Sequence, residues 1–143
     1  MPKINILIIC AGNTCRSVMA GRYLAMKAGS AVKVTTRGLR PGEEVPEEVF
    51  TALAPLGIGR FNHAAQEVTV TDIETADRIF VMEKPHQTEL EQMFWQARGK
   101  TELLDGALEI ADPFGLGPAA YKAALAQIQT AADRILKELL QGD

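Results

Sequence analysis

Residues 4–9 form a nearly unbroken apolar run, which ends directly before Cys10 and the turn-forming sequence AGNT. A strand with one face in water alternates apolar and polar side chains, whereas a continuous run indicates a strand buried on both faces. Strands of this kind occur in parallel sheets, in which helical connections cover both faces. The run therefore predicts the first strand of a parallel α/β sheet.

Strand and helix patterns alternate along the rest of the chain. Further strands are predicted over 32–36, 79–82 and 101–104, and helices over 16–28, 46–56, 85–97 and 118–142. Segment 71–77 is predicted to be a short polar connection. The last helix has an apolar stripe formed by Tyr121, Leu125, Ile128, Ala132, Ile135 and Leu139. The pattern predicts a doubly wound, three-layer α/β domain with a four-stranded parallel sheet, and residues 1–143 suit a single domain.

Composition narrows the classes of partner. The net charge is -3 and the pI is about 5.4, which argues against generic binding to nucleic acid or to an anionic membrane. The first apolar run is too short for a signal sequence, and no later run approaches a membrane span, so a cytoplasmic protein is expected. Two cysteines with C-x4-C spacing and two histidines make a zinc site improbable, and no metal or other cofactor is expected.

The loop after the first predicted strand has the features of an anion site. Its small residues allow backbone N–H groups to point inward, and Gly12 and Asn13 tolerate positive φ. Arg16, at the start of the next helix, could grip two phosphate oxygens and would favour the thiolate form of Cys10, to which Ser17 could hydrogen-bond. If Arg16 were absent, we would interpret Cys10 as a small apolar residue buried at the end of a strand. In doubly wound sheets, ligands bind at the carboxyl ends of the strands, where this loop lies.

The sequence CAGNTCRS, residues 10–17, resembles the C-x5-R-[ST] phosphate loop of the low-molecular-weight protein-tyrosine phosphatases. Four other family landmarks recur in order: TTRG at 35–38, NHAAQEVT at 62–69, ADRIFVME at 76–83 and DPFG at 112–115. The resemblance covers almost the whole chain. Val18 replaces the proline that usually follows the loop.

This resemblance implies a mechanism. Cys10 attacks phosphorus to form a cysteinyl-phosphate, Arg16 and the loop N–H groups stabilise the phosphoryl oxygens, and Asp112 is the general acid and later the base. The implied substrate-binding residues are Ala11, Gly12, Asn13, Thr14, Cys15, Ser17 and Phe114, and Thr36 and His63 are implied to support the loop. Under oxidation, Cys15 can form a disulfide with the nucleophile in this family. Asp105 and Glu109, near the general acid, are predicted to be solvated surface groups.

The implied partners are a phosphorylated protein and phosphate or other oxyanions, with a monomer or weak dimer expected. Phosphotyrosine is the default substrate. In the tyrosine-specific members of the family, aromatic side chains flank the substrate ring, whereas loop 40–48 has none here and Phe114 is the one aromatic residue just after Asp-Pro. Thr14 and the DPFG sequence resemble bacterial protein-arginine phosphatases of the same family, and Glu43 or Glu44 could meet a guanidinium, so phosphoarginine is the alternative.

Two other functions compete with a phosphatase. Arsenate reductases of this fold family pass electrons through further cysteines, and none follows Cys15, so only an external thiol would allow that activity. A non-catalytic phosphate-binding module would be expected to lack Cys10, Arg16 or Asp112, and all three are present. Tyr121 lies on the apolar stripe, so core packing is a better prediction for it than phosphorylation.

Overall fold

The computed structural model describes residues 3–141. Its strands are β1 (Ile4–Cys10), β2 (Val32–Gly38), β3 (Arg78–Val81) and β4 (Thr101–Leu103), and its helices are α1 (Arg16–Ala28), α2 (Glu47–Leu53), α3 (Val70–Thr75), α4 (Lys84–Met93) and α5 (Pro118–Gln141). The four strands form one sheet in the order β2-β1-β3-β4, and every neighbouring pair is parallel. The predicted α/β fold with a four-stranded parallel sheet is confirmed.

The apolar run is buried on both faces of the sheet, as its pattern predicts. Ile6 and Ile8 belong to a core cluster that includes buried side chains of α1, α2 and α5. Leu7 and Ile9 point the other way, into a second cluster that includes buried side chains of α3 and α4. Because successive residues of a strand face opposite sides, one uninterrupted run supplies both cores. The sheet is thus the middle of three layers.

The predicted stripe on the last helix is buried in the first of these cores. Tyr121, Leu125, Ile128, Ala132 and Ile135 are all at most 4% exposed, and Leu139 packs partly against them. The helix begins at Pro118 as predicted. Its predicted end near Gly142 lies outside the described residues.

Three predicted elements differ from the structure. Segment 71–77 is not a plain connection, because α3 occupies most of it; its first turn carries a capping box between Thr69 and Asp72, and Ile73 is its one buried side chain. A six-residue helix with one buried side chain is too short to show a helical period, which is why the pattern did not reveal it. The predicted helices 46–56 and 85–97 are both shorter, since each continues as a three-residue 3-10 turn, Ala54–Leu56 and Trp95–Ala97.

The register of the sheet brings the start of the phosphate loop beside β2. Cys10, the last residue of β1, pairs with Gly38, the last residue of β2. Strand order reverses between β1 and β3, so the carboxyl end of β1 lies at the switch point where doubly wound sheets bind ligands. Within residues 3–141, no helix is both long and apolar enough to cross a membrane.

Candidate active site

The carbonyl groups of the phosphate loop, residues 10–17, are held by hydrogen bonds from outside it. Backbone N–H groups of Leu39, Arg40 and Gly42 donate to the carbonyls of residues 10, 11 and 12, at 3.1, 2.8 and 2.8 Å. In a trans peptide, the N–H of the next residue points away from the carbonyl. The N–H groups of residues 11–13 therefore face away from the β2 side. That of Asn13 donates to Cys10 Sγ, and those of residues 11 and 12 are available to an anion.

Asn13 is fully buried and is the one non-glycine residue with positive φ among residues 3–141, at 56°. Its Nδ2 donates to Ser17 Oγ at 2.9 Å, and its Oδ1 accepts from the backbone N–H of Gln66 at 3.1 Å. Gly12, by contrast, does not have positive φ, so of the two residues that tolerate this conformation only Asn13 adopts it. The asparagine side chain anchors the conformation that its own backbone adopts.

Cys10 lies at the floor of the loop, with its sulfur surrounded by donors. Its Sγ is 3.0 Å from Ser17 Oγ, and it accepts from the backbone N–H of Asn13 at 3.3 Å. Because Ser17 Oγ already accepts from Asn13 Nδ2, the hydroxyl hydrogen is free to donate to a deprotonated sulfur. The site can thus stabilise negative charge on Cys10.

Arg16 is 3% exposed and is held from two sides. Its Nη1 donates to a carboxylate oxygen of Glu83 and to the carbonyl of Ile110, and its Nη2 lies 3.8 Å from Asp112 Oδ2. Glu83 had not been predicted as a site residue. It directly follows Met82 at the carboxyl end of β3, and an acidic residue at that position is the only signal in the sequence that could have suggested it. Glu83 fixes where the guanidinium points.

Asp112 and Cys10 line one cavity of about 470 Å³. Its other lining residues come from the phosphate loop, from the loop after β2 and from the segment after Asp112: Ala11, Gly12, Thr14, Cys15, Arg16, Gly42, Glu43, Glu44 and Phe114. The Asp112 carboxylate is half exposed and accepts from the backbone N–H of Phe114 at 3.1 Å. Phe114 is 66% exposed. The cavity therefore brings together a thiol, a guanidinium and a carboxyl group.

His63 and Thr36 were both predicted to support the loop, and the structure places them differently. His63 Nε2 donates to the Asn13 carbonyl at 2.9 Å. Within residues 3–141, the Thr36 side chain makes no hydrogen bond to the loop; its methyl group faces Gly21, where an added Cβ would lie 2.6 Å from it. Thr36 thus packs β2 against α1, and Gln66 takes the polar role through its backbone.

Gly38 permits the close approach of β2 to the loop. A Cβ at this position would lie 3.0 Å from Asn13 Cβ and 3.1 Å from the Ala11 carbonyl. Both distances are shorter than ordinary contacts, so a larger residue would push the loop away from the sheet. The glycine of the TTRG sequence therefore has a packing role at the site.

Cys15 belongs to the phosphate loop, and its side chain packs in the first core cluster. It is 5% exposed, and its sulfur is 3.7 Å from Tyr121 Oη and 3.8 Å from Thr14 Oγ1. Burial raises the pKa of the Cys15 thiol, partly offset by its hydrogen bonds to Tyr121 and Thr14. Both cysteines are free. Cys15 is therefore held as a neutral thiol next to the site.

Of the two acidic residues predicted to be solvated, Asp105 is not. Its side chain is 10% exposed, and it accepts from Arg134 at 3.0 Å and from Gln127 at 2.8 Å, both on α5. Glu109 is exposed, as predicted, and accepts from the backbone N–H of Lys84. Asp105 instead ties the segment after β4 to α5. Residues 3–141 contain no group of three or more side chains placed to hold a metal ion.

Comparison with known proteins identifies the family. The family model of the low molecular weight phosphotyrosine protein phosphatases matches residues 5–142. This chain belongs to that family. The resemblance seen in the sequence is confirmed, and so is the predicted enzyme class, a hydrolase of the low-molecular-weight protein-tyrosine phosphatase type.

Relatives in the family carry two kinds of name. The protein-arginine-phosphatase of Geobacillus stearothermophilus is 32% identical over 94% of this chain and 95% of its own length. The solved YwlE arginine phosphatase from that organism superimposes with a TM-score of 0.91 at 30% identity, covering 96% of this chain and 94% of its own. The AmsI tyrosine phosphatase of Erwinia amylovora reaches 0.87 at 29% identity, covering 95% and 93%. Wzb of Vibrio vulnificus, solved in complex with benzylphosphonate, reaches 0.88 at 28% identity, covering 96% and 99%.

Proposed function

We propose that this protein hydrolyses phosphotyrosine in phosphorylated proteins through a cysteinyl-phosphate intermediate. The observation that carries the proposal is the single cavity that Cys10, Arg16 and Asp112 share, with the loop N–H groups turned away from β2. A site that binds phosphate without reacting needs neither a buried thiol at its floor nor a carboxyl group at its mouth.

In the first step, the Cys10 thiolate attacks phosphorus and the bond to the phenolic oxygen breaks. Asp112 donates its proton to that oxygen, since a phenolate has a pKa near ~10 and leaves more readily when protonated. Arg16 and the loop N–H groups bind the three remaining phosphoryl oxygens, which carry most of the negative charge. Once Cys10 is deprotonated, the Ser17 hydroxyl, 3.0 Å from the sulfur, donates a hydrogen bond to it and stabilises the thiolate.

In the second step, water attacks the cysteinyl-phosphate. Asp112, now a carboxylate, accepts a proton from the water, the sulfur–phosphorus bond breaks, and inorganic phosphate and the Cys10 thiolate are released. No cofactor takes part in either step. The two steps return every group to its starting state.

Phosphoarginine is the second candidate substrate, and specific observations favour it. Thr14 presents a polar side chain to the cavity, and Phe114 is the single aromatic residue among the lining residues. A tyrosine ring in this cavity would therefore pack against one aromatic side chain only. A relative that is 32% identical is named a protein-arginine-phosphatase.

The test is hydrolysis of matched phosphotyrosine and phosphoarginine peptides by the wild type, Cys10→Ser and Asp112→Asn. The proposal expects loss of turnover in Cys10→Ser and a large decrease in Asp112→Asn; sustained turnover by Cys10→Ser contradicts it. The ratio of kcat/KM for the two peptides decides the substrate. Thr14→Ile tests whether Thr14 determines the preference between the two peptides. If the ratio is the same as in the wild type, Thr14 does not determine it.

Cys15 is proposed to protect the nucleophile by forming a reversible disulfide with Cys10 under oxidation. Its position in the same loop and the free state of both thiols support this proposal. Protein treated with peroxide should lose activity and regain it with a thiol, and equal recovery by Cys15→Ser contradicts the role. A cytoplasmic location and a monomeric or weakly dimeric state stay predictions.

A further inference from the structure

The loop after β2 is attached to the phosphate loop, and this attachment sets the position of two glutamates. Three backbone hydrogen bonds join residues 39, 40 and 42 to the loop carbonyls. Gly42 also packs against Thr14, since an added Cβ would lie 3.1 Å from the Thr14 methyl group. Glu43 and Glu44 follow at once, and both line the cavity that contains Cys10. Their place at the cavity mouth is therefore a consequence of backbone geometry.

The two carboxylates lack partners that nearby glutamates have. Within residues 3–141, neither Glu43 nor Glu44 makes a side-chain hydrogen bond or ion pair, and both are exposed. Glu47, a few residues further on, pairs with Arg60, and Glu89 pairs with Arg40 of the same loop. A surface glutamate in water needs no partner, but these two lie beside a site for a phosphate dianion.

The charges around the cavity disfavour binding of a phosphate group that carries no positive charge nearby. The single cationic lining residue is Arg16, which already contacts Glu83 and Asp112. Glu43 and Glu44 add two negative charges at the mouth and repel an incoming phosphate. A positive charge on the substrate, close to its phosphate, would convert this repulsion into attraction.

We propose that Glu43 and Glu44 form an acidic rim that selects phosphorylated segments with a lysine or arginine next to the phosphorylated residue. The inference rests on the proposed phosphatase activity and specifies its substrates. The selected charge belongs to a flanking residue, so the rim acts whether the phosphate is on tyrosine or on arginine. Exposed charge pairs are individually weak, and two of them correspond to a preference of about five- to twentyfold.

The experiment compares two phosphotyrosine peptides that differ at one position next to the phosphotyrosine, lysine in one and norleucine in the other. The enzymes are the wild type, E43Q/E44Q and the control E74Q, which removes an exposed carboxylate on α3 that does not line the cavity. Wild type and E74Q are expected to have a kcat/KM about five- to twentyfold higher for the lysine peptide, mainly through KM. In E43Q/E44Q, this preference should fall towards one because the lysine is no longer attracted, whereas the lost repulsion of the phosphate affects both peptides equally.

Salt supplies a second measurement, because about 0.5 M salt screens exposed charges and should reduce the wild-type preference without a mutation. An equal preference in wild type and E43Q/E44Q, or none in wild type, overturns the acidic rim. Failure of the wild type to hydrolyse either peptide or a simple aryl phosphate overturns the proposed function instead. The two failures are thus distinguishable.

Discussion

Replacing Asn13 tests how the phosphate loop keeps its shape. Asn13→Ala removes the bond from Nδ2 to Ser17 and the bond from Gln66 N–H to Oδ1. Each such bond contributes about 1 kcal/mol net, so their loss accounts for about 2 kcal/mol. The backbone at φ 56° adds about 1 kcal/mol for alanine, whose Cβ disfavours the left-handed region. The free energy of unfolding should therefore fall by about 3 kcal/mol.

Asn13→Gly separates the two contributions. Glycine loses the same side-chain bonds but adopts positive φ without a steric penalty, so its free energy of unfolding should lie about 1 kcal/mol above that of the alanine variant. Urea unfolding followed by circular dichroism measures both values. Both variants should also lose about tenfold or more in kcat/KM on an aryl phosphate, because the loop N–H groups are misplaced. A glycine variant that is as unstable as the alanine variant refutes the reasoning about backbone strain, and unchanged kinetics in both refutes the role of Asn13.

Three further predictions concern residues around the site and in the core. Glu83→Gln removes the carboxylate that accepts from Arg16 Nη1, so kcat/KM on an aryl phosphate should fall by about tenfold or more. Unchanged kinetics would show that the Ile110 carbonyl and Asp112 hold Arg16 without Glu83. Burial and the charge of Arg16 lower the pKa of His86, which Glu83, Glu89 and Arg40 also face, and its Nδ1 has no hydrogen-bond partner in the part of the chain that the structure describes. As the pH drops, His86 is protonated first in the unfolded chain, so the free energy of unfolding should fall below about pH 6.5. His86→Gln should reduce this pH dependence. The same pH profile in wild type and variant contradicts the role of His86. Burial and the Asp133 carboxylate raise the pKa of Tyr23 to about 12, so stability should fall as the pH rises from about 10. Tyr23→Phe should lose about 1 kcal/mol at neutral pH with its bond to Asp133 and should lack this alkaline decrease, as unfolding in urea at the two pH values would show.

The sheet and the long helix were predictable because each has a local pattern that only one environment satisfies. Residues 4–9 have no polar face that could contact water, so the strand must be buried on both sides. The apolar stripe on α5 repeats with the helical period. Helix α3 was missed because its single buried residue, Ile73, makes no pattern at all. A helix or strand that buries more apolar residues gives a clearer periodic pattern and is easier to predict from the sequence.

The site was predictable as far as its chemistry lies in one continuous segment. Residues 10–17 contain the proposed nucleophile Cys10, the anchoring Asn13 and the cation Arg16. The partners of that segment come from distant loops. A glutamate after β3 or a partly buried Asp105 looks like any surface acid in the sequence. Thr36 was assigned a polar role by resemblance, whereas its methyl group packs against α1 in the structure. Contacts between loops depend on the assembled sheet, which local patterns do not describe.

The most direct test of the account is the mass of the covalent intermediate, which is expected on Cys10. In Asp112→Asn, an activated aryl phosphate still transfers its phosphoryl group, because a good leaving group needs little help from an acid. Hydrolysis of the intermediate then lacks its base, so the phosphorylated enzyme should accumulate. Rapid quenching followed by peptide mass spectrometry should locate the phosphate on the peptide that contains Cys10. Phosphate on another residue, or continued release of phosphate with Cys10 unmodified throughout turnover, contradicts the account.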